Sequence, residues 1–473
     1  MASVSGVSLK LEAELRPGKD KVKGRKYVNR FISKYLFYYP TTILKGEYIG
    51  KYLQKYRDFQ YAPHGKLEAY QLSHLKKLLD HAYSNSPFYK DSFKRAGVYP
   101  SDLQSLDDLK KFPFLNKSDL ASKSNAIATT KDSVFVSQKT TGGSTGQAVT
   151  LLKNTDALAR ERAATWRAYE WAGVCIGDPQ ARFWGNPLHQ SQQIKYKVID
   201  LIANRMRLSA FEVNEARLED HYRRLLRFKP AYLYGYVSVI EMFAKFVVDN
   251  NNRLPSSVKC VITTSEVLTD TTRQLIEEAF HVKVFNEYGC GEVGSIAHEC
   301  EHGSMHIMEE NVIVEVETNK ESQDAGEIIV TDLHNYATPL IRYRLGDFAS
   351  LPGSVCSCGR SLKTIGNIHG RAYDCITTQE GNSFHPEMVM YIFEDIKGKK
   401  GGISQFQVIQ ESINTMHVKI VKTEDYDVAV EDFIAQEFKS RISPTMKTTV
   451  EYVDSIEREK SGKLRLVKSN LSE

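Results

Sequence analysis

Apolar residues return every three or four positions over 41–57 and again over 67–97, where Leu72, Leu75, Leu78, Leu79, Ala82 and Tyr83 share one side of a helical turn. The opening of the chain is therefore predicted as amphipathic helices. The period then changes. Apolar positions alternate over 133–138 (SVFVSQ), a glycine-rich turn follows, and an apolar run resumes over 149–152, the pattern of two strands about a turn. Further on, helical patterns at 156–172, 237–248 and 271–280 alternate with short apolar runs at 182–184, 232–234, 260–263 and 282–285, which predicts a parallel-rich sheet covered by helices. Strand patterns dominate from 306 to 350, as in VIVEVET and EIIVTDL, and imply a small β-rich lobe. From 375 the order strand, helix, strand pair, helix, strand marks a separate unit. The expected fold class is α/β: a large N-terminal domain with parallel-rich sheets and a β-rich lobe, followed by a small mobile α+β C-terminal domain. The expected boundaries are a loose basic arm over 1–40, the large domain over 41–370, a hinge at 371–374 and the small domain over 375–473.

Length and composition narrow the picture. The 473 residues exceed one ordinary domain, and 41% hydrophobic with 26% charged residues is a globular balance. With no long apolar run and no leader pattern, a cytoplasmic protein is expected. A net charge of +5 gives no reason to expect nucleic acid as a partner. Its distribution is uneven, because Arg16, Lys19, Lys21, Lys23, Arg25, Lys26, Arg30 and Lys34 crowd the start among Tyr27, Phe31, Tyr35, Phe37, Tyr38 and Tyr39. That mixture suits either a solvated arm whose aromatics dock on the body or peripheral contact with an anionic membrane. Seven cysteines, an odd number, favour free or metal-bound thiols over a disulfide framework.

The strongest local motif is Thr140-Thr141-Gly142-Gly143-Ser144-Thr145-Gly146 between two strands. Its glycines let the backbone approach a phosphate, and its hydroxyls add donors. It lacks the Gly-Lys-Ser/Thr ending of a Walker A loop. In order after it come Asn286-Glu287-Tyr288-Gly289-Cys290-Gly291-Glu292, Ile341-Arg342-Tyr343-Arg344-Leu345-Gly346-Asp347, Gly370-Arg371 and Ser461-Gly462-Lys463. This series resembles the adenylate-forming superfamily of acyl-CoA synthetases and peptide-synthetase adenylation domains, and within it the phenylacetate–CoA ligase branch with its relatives in capsular polysaccharide synthesis. Leu78-Leu79-Asp80-His81-Ala82-Tyr83, Pro87-Phe88-Tyr89, Tyr234-Gly235-Tyr236 and Thr264-Ser265-Glu266 fit the same branch.

The resemblance implies an AMP-forming ligase that activates a carboxylic acid with ATP and Mg²⁺ and passes it to a thiol, CoA being the simplest acceptor. It implies that Thr141, Gly142, Gly143, Ser144, Thr145 and Gly146 hold the ATP phosphates, that Tyr288 stacks on adenine with Gly289 also among the nucleotide-binding residues, and that Asp347 accepts the ribose hydroxyls. Glu292 would ligate Mg²⁺, Arg371 would reach the phosphates from the hinge, and Lys463 would bridge the carboxylate and the α-phosphate. These are suitable types: an aromatic face for a base, a hard carboxylate for Mg²⁺, a guanidinium for an oxyanion. Gly291 and Leu345 depart from the family pattern, each removing a hydroxyl near the nucleotide. The acyl pocket is expected from Trp184, Tyr234, Tyr236, Ser265 and Glu266, whose aromatic content suits a flat or apolar acid. Transfer to an amine or hydroxyl in polysaccharide biosynthesis, adenylyl transfer to the acceptor, and a nucleotide-binding scaffold with little turnover stay open.

A Cys-x-Cys pair with a distant Cys and His can form a tetrahedral soft-ligand site. Cys300, His306, Cys356 and Cys358 have that form, with His302 as a rival fourth ligand, and the arrangement resembles a structural zinc in some members of the same branch. Unligated reduced cysteines are the alternative.

Overall fold

The computed structural model describes residues 27–129, 136–141, 149–185, 190–210, 213–319, 322–350, 355–369, 376–384, 388–389, 392–393, 396, 402–424, 426–456 and 466–471. Its largest sheet has eight strands, in the order Thr364–Ile365, Met305–Ile307, Gly294–Glu299, Lys283–Cys290, Cys260–Thr264, Tyr232–Tyr236, Gln180–Trp184 and Arg205–Ser209. The last five of these run parallel, and the first three pair antiparallel. In sequence order the parallel part reads second, first, third, fourth, fifth. That order reverses between Gln180–Trp184 and Tyr232–Tyr236, and open α/β sheets bind ligands at the carboxyl ends of the strands flanking such a reversal.

The parallel strands are apolar because both faces are covered. On one side Leu233, Val261 and Val284 pack with Phe183, Ile240 and Phe243; on the other, Tyr232, Ile262 and Phe285 pack with Tyr169 of the helix Thr155–Trp171. A second sheet of four strands, Val312–Asn319, Ser322–Asp332, Tyr343–Ser350 and Ile368–His369, is antiparallel throughout. The N-terminal helices Ile49–Phe59, His64–Asn85 and Pro87–Ala96 share a core with this sheet and with Thr155–Trp171. Arg57 makes a two-pronged ion pair with Glu170, its Nε donating at 2.7 Å.

Residues 376–467 build their own core, in which the order Lys447–Tyr452, Thr415–Lys422, Ile403–Ser412, Val467–Ser469 makes a four-stranded sheet backed by Ala429–Arg441. Residues 30–40, grouped with the basic arm by sequence, are helical here: Arg30–Ile32, a π-helical turn Ser33–Tyr38, and Tyr39–Leu44. The sequence pattern also missed the helices Gln190–Ile202 and Glu215–Phe228 and the strand Arg205–Ser209. Arg205 and Arg207 hide that strand, since both spend their charge on Asp200, at 3.7 Å and 3.1 Å. No helix among the described residues is long and apolar enough to cross a membrane.

Gly235 sits at the strand-order reversal, where a Cβ would lie 2.5 Å from the Phe183 carbonyl oxygen and 2.7 Å from its Cβ. Gly235→Ala must push the two strands apart and is expected to lower the unfolding free energy by about 2 kcal/mol. Chemical denaturation measures this, and an unshifted midpoint would contradict so close an approach.

Candidate active site

Three of the residues singled out by sequence stand at the carboxyl ends of the two strands flanking the reversal. Trp184 stacks on Tyr236 with ring centroids 4.3 Å apart and on Tyr234 at 5.8 Å. The Arg182 guanidinium lies over both Trp184 (4.3 Å) and Tyr234 (4.8 Å). On the next strands Thr264 and Glu287 are in register with Tyr236. The Tyr169 hydroxyl donates to Glu287 at 2.7 Å, and burial raises the Glu287 carboxyl above its ordinary range. The corner is thus aromatic walls with one guanidinium and one carboxyl. Glu266 is engaged elsewhere, because its carboxylate accepts from the Ser238 amide (2.7 Å) and hydroxyl (3.0 Å) and so caps the helix Val237–Asp249. Ser265, just past the strand end, has a left-handed backbone (φ 71°) that turns the chain toward that cap.

Tyr288 and Asp347 come from different sheets and meet, the phenol donating to a carboxylate oxygen at 3.0 Å. A bulge brings Asp347 there. Arg344 pairs with Ile329 and Phe348 with Glu327, so three residues on one strand oppose a single one on the other, and Gly346 takes the left-handed conformation (φ 75°) this needs. Gly289 follows Tyr288 where a Cβ would fall 2.2 Å from the Gly294 carbonyl oxygen, so only glycine lets the strands close. Arg342, in the same motif as Asp347, is structural: it pairs with Glu315 at 3.0 Å and donates to the carbonyls of Lys110 (2.9 Å) and Phe112 (2.8 Å).

Glu292 lies on the turn between Lys283–Cys290 and Gly294–Glu299 and is buried. The Lys117 ammonium stands 3.6 Å from its carboxylate, and the Tyr343 hydroxyl donates to it at 3.4 Å. The turn is held from below by Lys153, whose ammonium donates to the Val293 carbonyl and, at 2.9 Å, to Glu161. Glu161 in turn occupies the space a Cβ on Gly294 would need, 2.2 Å away, and Gly294 has φ +97°. Burial opposes the charge on Lys153, but Glu161 and then Asp332 outweigh it and raise the ammonium's pKa. Lys153 lies in Val149–Asn154, paired with Val136–Thr141, so the strands leading into and out of the glycine-rich turn sit beside the Glu292 turn. Gly142, Gly143, Ser144, Thr145, Gly146, Arg371 and Lys463, the side chain of Thr141, and the hinge at 371–374 lie outside the described residues.

Sequence reading missed Lys117, Lys153 and Glu161. Lone charged residues in amphipathic segments carry no signal of their partners; only an apolar strand interrupted by lysine, as in Val-Thr-Leu-Leu-Lys, hints at one.

Away from this cleft, the side chains of Cys300, His306, Cys356 and Cys358 place one ligand atom each within 4.8 Å of one another. The Cys300 and Cys356 sulfurs are 3.6 Å apart, and Cys358 Sγ is 3.2 Å from His306 Nε2. His306 Nδ1 faces the Leu362 carbonyl at 2.9 Å, which fixes the proton there and leaves Nε2 a lone pair toward the thiols. Separations of this order are the edges of a tetrahedron with metal–sulfur bonds near ~2.3 Å. The rival, His302, turns to Ser357 Oγ at 2.8 Å. The donor set therefore fits zinc.

Replacing Lys153 by Met leaves Glu161 only the Lys139 ammonium, 3.7 Å away, removes the counter-charge of Asp332, and is expected to cost about 3 kcal/mol of unfolding free energy. The double variant Lys153→Met/Glu161→Met is expected to recover more than half of that. Denaturation of the three variants checks the coupling, and strictly additive losses would show there is none.

Residues 376–470 match the family model of the CapK C-terminal domain. Protein CapK of Staphylococcus aureus is 25% identical over 408 residues, covering 85% of this chain and 89% of that protein. A phenylacetate-coenzyme A ligase of Thermus thermophilus is 25% identical over 451 residues, covering 86% and 97%. Among solved structures, 2-hydroxyisobutyryl-CoA ligase in complex with 2-HIB-AMP and CoA in the thioesterification state superimposes with a TM-score of 0.58 at 18% identity, covering 87% of this chain and 91% of that one. By sequence this chain is a relative of CapK and the phenylacetate–CoA ligases, and its fold is that of the adenylate-forming acyl-CoA ligases.

Proposed function

We propose that the protein is an AMP-forming ligase that activates a carboxylic acid as its acyl-adenylate and passes the acyl group to a thiol, CoA being the simplest acceptor. The observation that carries this reading is the meeting of Tyr288 with Asp347 beside the buried Glu292 turn and the strands of the glycine-rich hairpin. In this reading the Tyr288 ring is a platform for adenine, and the Asp347 carboxylate receives the ribose hydroxyls. Glu292 would hold Mg²⁺, which when bound neutralises charge on the phosphates. Tyr343 and Lys117 would orient the Glu292 carboxylate. Thr141, Gly142, Gly143, Ser144, Thr145 and Gly146 would hold the phosphates. An oxygen of the acid attacks the α-phosphorus and pyrophosphate leaves. Lys463, carried by the small domain, stabilises the charge on the α-phosphate, and movement about 371–374 then admits the thiol, with AMP as the leaving group.

The acid lies by Trp184, Tyr234 and Tyr236. A second reading keeps the adenylate but gives the acyl group to an amine or hydroxyl. AMP release that depends on CoA separates the two.

We infer further that the Cys300, His306, Cys356, Cys358 cluster holds one structural zinc. Four protein ligands leave no open position, and the site closes a long loop in the large domain rather than serving the reaction.

Lys463→Ala is expected to lower acid-dependent ATP–pyrophosphate exchange by at least about a hundredfold while nucleotide affinity stays within a few-fold. Near-normal exchange would remove Lys463 from the chemistry. Metal analysis of the purified chain is expected to find one zinc per chain, absent from Cys356→Ser/Cys358→Ser, with a lowered melting temperature in that variant. Metal-free protein that melts like the untreated one would exclude the zinc.

A further inference from the structure

The helical stretch 30–44 docks on the body through polar and aromatic groups and turns its aliphatic side outward. Ser33 and Thr42 are buried, Ser33 Oγ donating to the Ile202 carbonyl at 3.4 Å. Trp166 Nε1 donates to the Tyr38 hydroxyl at 2.7 Å, and Arg30 pairs with Asp178 at 3.4 Å. The outward side carries Phe31 (67% exposed), Leu36 (66%) and Leu44 (88%), with Ile32, Tyr35 and Ile43 also exposed between them. The neighbouring helix Gln190–Ile202 adds exposed Val198 and Leu201 next to the Ser33 contact. Large aliphatic side chains grouped this way on a protein surface mark a binding face, whereas scattered ones would need no explanation.

The uncompensated charge about this face is cationic. Between residues 27 and 57 stand six lysines and arginines and a single acidic residue, Glu47; Arg30 and Arg57 pair with Asp178 and Glu170, and Lys34, Lys45, Lys51 and Lys55 form no ion pair among the described residues. Glu47 is buried and spent on Arg162, at 2.5 Å. Lys45, Lys51 and Lys197 are exposed about the apolar face, and the Lys34 ammonium lies 5.0 Å from the centre of the Tyr35 ring. A second copy of the chain would bring two cationic rims together across a two-fold contact, which like-charge repulsion disfavours. Anionic lipid headgroups answer both features at once: cations meet phosphates, while aromatic and aliphatic side chains enter the boundary below them.

We infer that the outer face of residues 30–44, with Val198 and Leu201, is a docking surface for an anionic phospholipid membrane. It stands apart from the proposed reaction, since none of its residues belongs to the cleft. The test is flotation of the full chain with vesicles of phosphatidylcholine alone and of equimolar phosphatidylcholine and phosphatidylglycerol. The chain is expected to float with the anionic vesicles, less so at high salt, and poorly with the neutral ones. Leu36→Glu/Leu44→Glu is expected to lower the partition at least about tenfold with unchanged circular dichroism and melting temperature. Lys34→Glu/Lys45→Glu should act in the same direction through charge alone. Failure of the wild-type chain to float, or equal flotation of the apolar variant, would overturn the proposal. A wild-type dimer in sedimentation velocity that Leu36→Glu/Leu44→Glu dissolves would assign the face to a second copy and overturn it as well.

Discussion

A lysine that is 1% exposed must be neutralised by its surroundings, and in this protein the groups that do so come from separate elements. Lys153 leaves the glycine-rich hairpin, Glu161 sits on the helix Thr155–Trp171, Val293 belongs to the Glu292 turn, and Asp332 ends a strand of the second sheet. Satisfying one ammonium therefore fixes the hairpin, the turn and both sheets relative to one another. A buried ion pair adds little net stability over a well-packed apolar substitute, but it tolerates few alternative arrangements. That intolerance suits a cleft whose parts must register to within fractions of an ångström.

The second consequence of this frame is where the chemistry-bearing residues end up. The parallel strands deliver Trp184, Tyr236, Thr264 and Glu287 to one edge. The antiparallel sheet delivers Asp347 by a bulge, and the bond from Tyr288 closes the gap between the two sheets. One corner is aromatic with Arg182 and Glu287, and the other is acidic with Glu292, Lys117 and Tyr343. Under the proposed function, the first corner would take the organic acid and the second the nucleotide phosphates, with no residue serving both.

Much of this was legible in the chain. The strands about the glycine-rich turn show as alternation, and Tyr288, Glu292 and Asp347 stand in motifs whose order alone suggests a common ligand. Cys300, His306, Cys356 and Cys358 were also readable as a group, and they lie together here while His302 turns to Ser357. Other features were not. Strand Arg205–Ser209 reads as polar because its arginines are neutralised by Asp200, a partner only folding supplies. Glu266 reads as a site residue beside Ser265, yet its carboxylate is consumed by a helix cap. Lys117 and Lys153 resemble any surface lysine until the tertiary fold buries Lys153 and half-buries Lys117. Residues 30–40 read as a loose arm because their aliphatic groups face outward, which conceals a helix anchored by Ser33 and Tyr38.

The central claim is that Tyr288 and Asp347 together hold a nucleoside. Isothermal titration of Mg·ATP into the wild-type chain, Tyr288→Ala, Asp347→Ala and the double variant addresses it most directly. Each single change is expected to weaken binding at least about tenfold, and the double change to cost less than the product, because the two side chains act through a shared contact. Affinity that is unchanged in both single variants would contradict it.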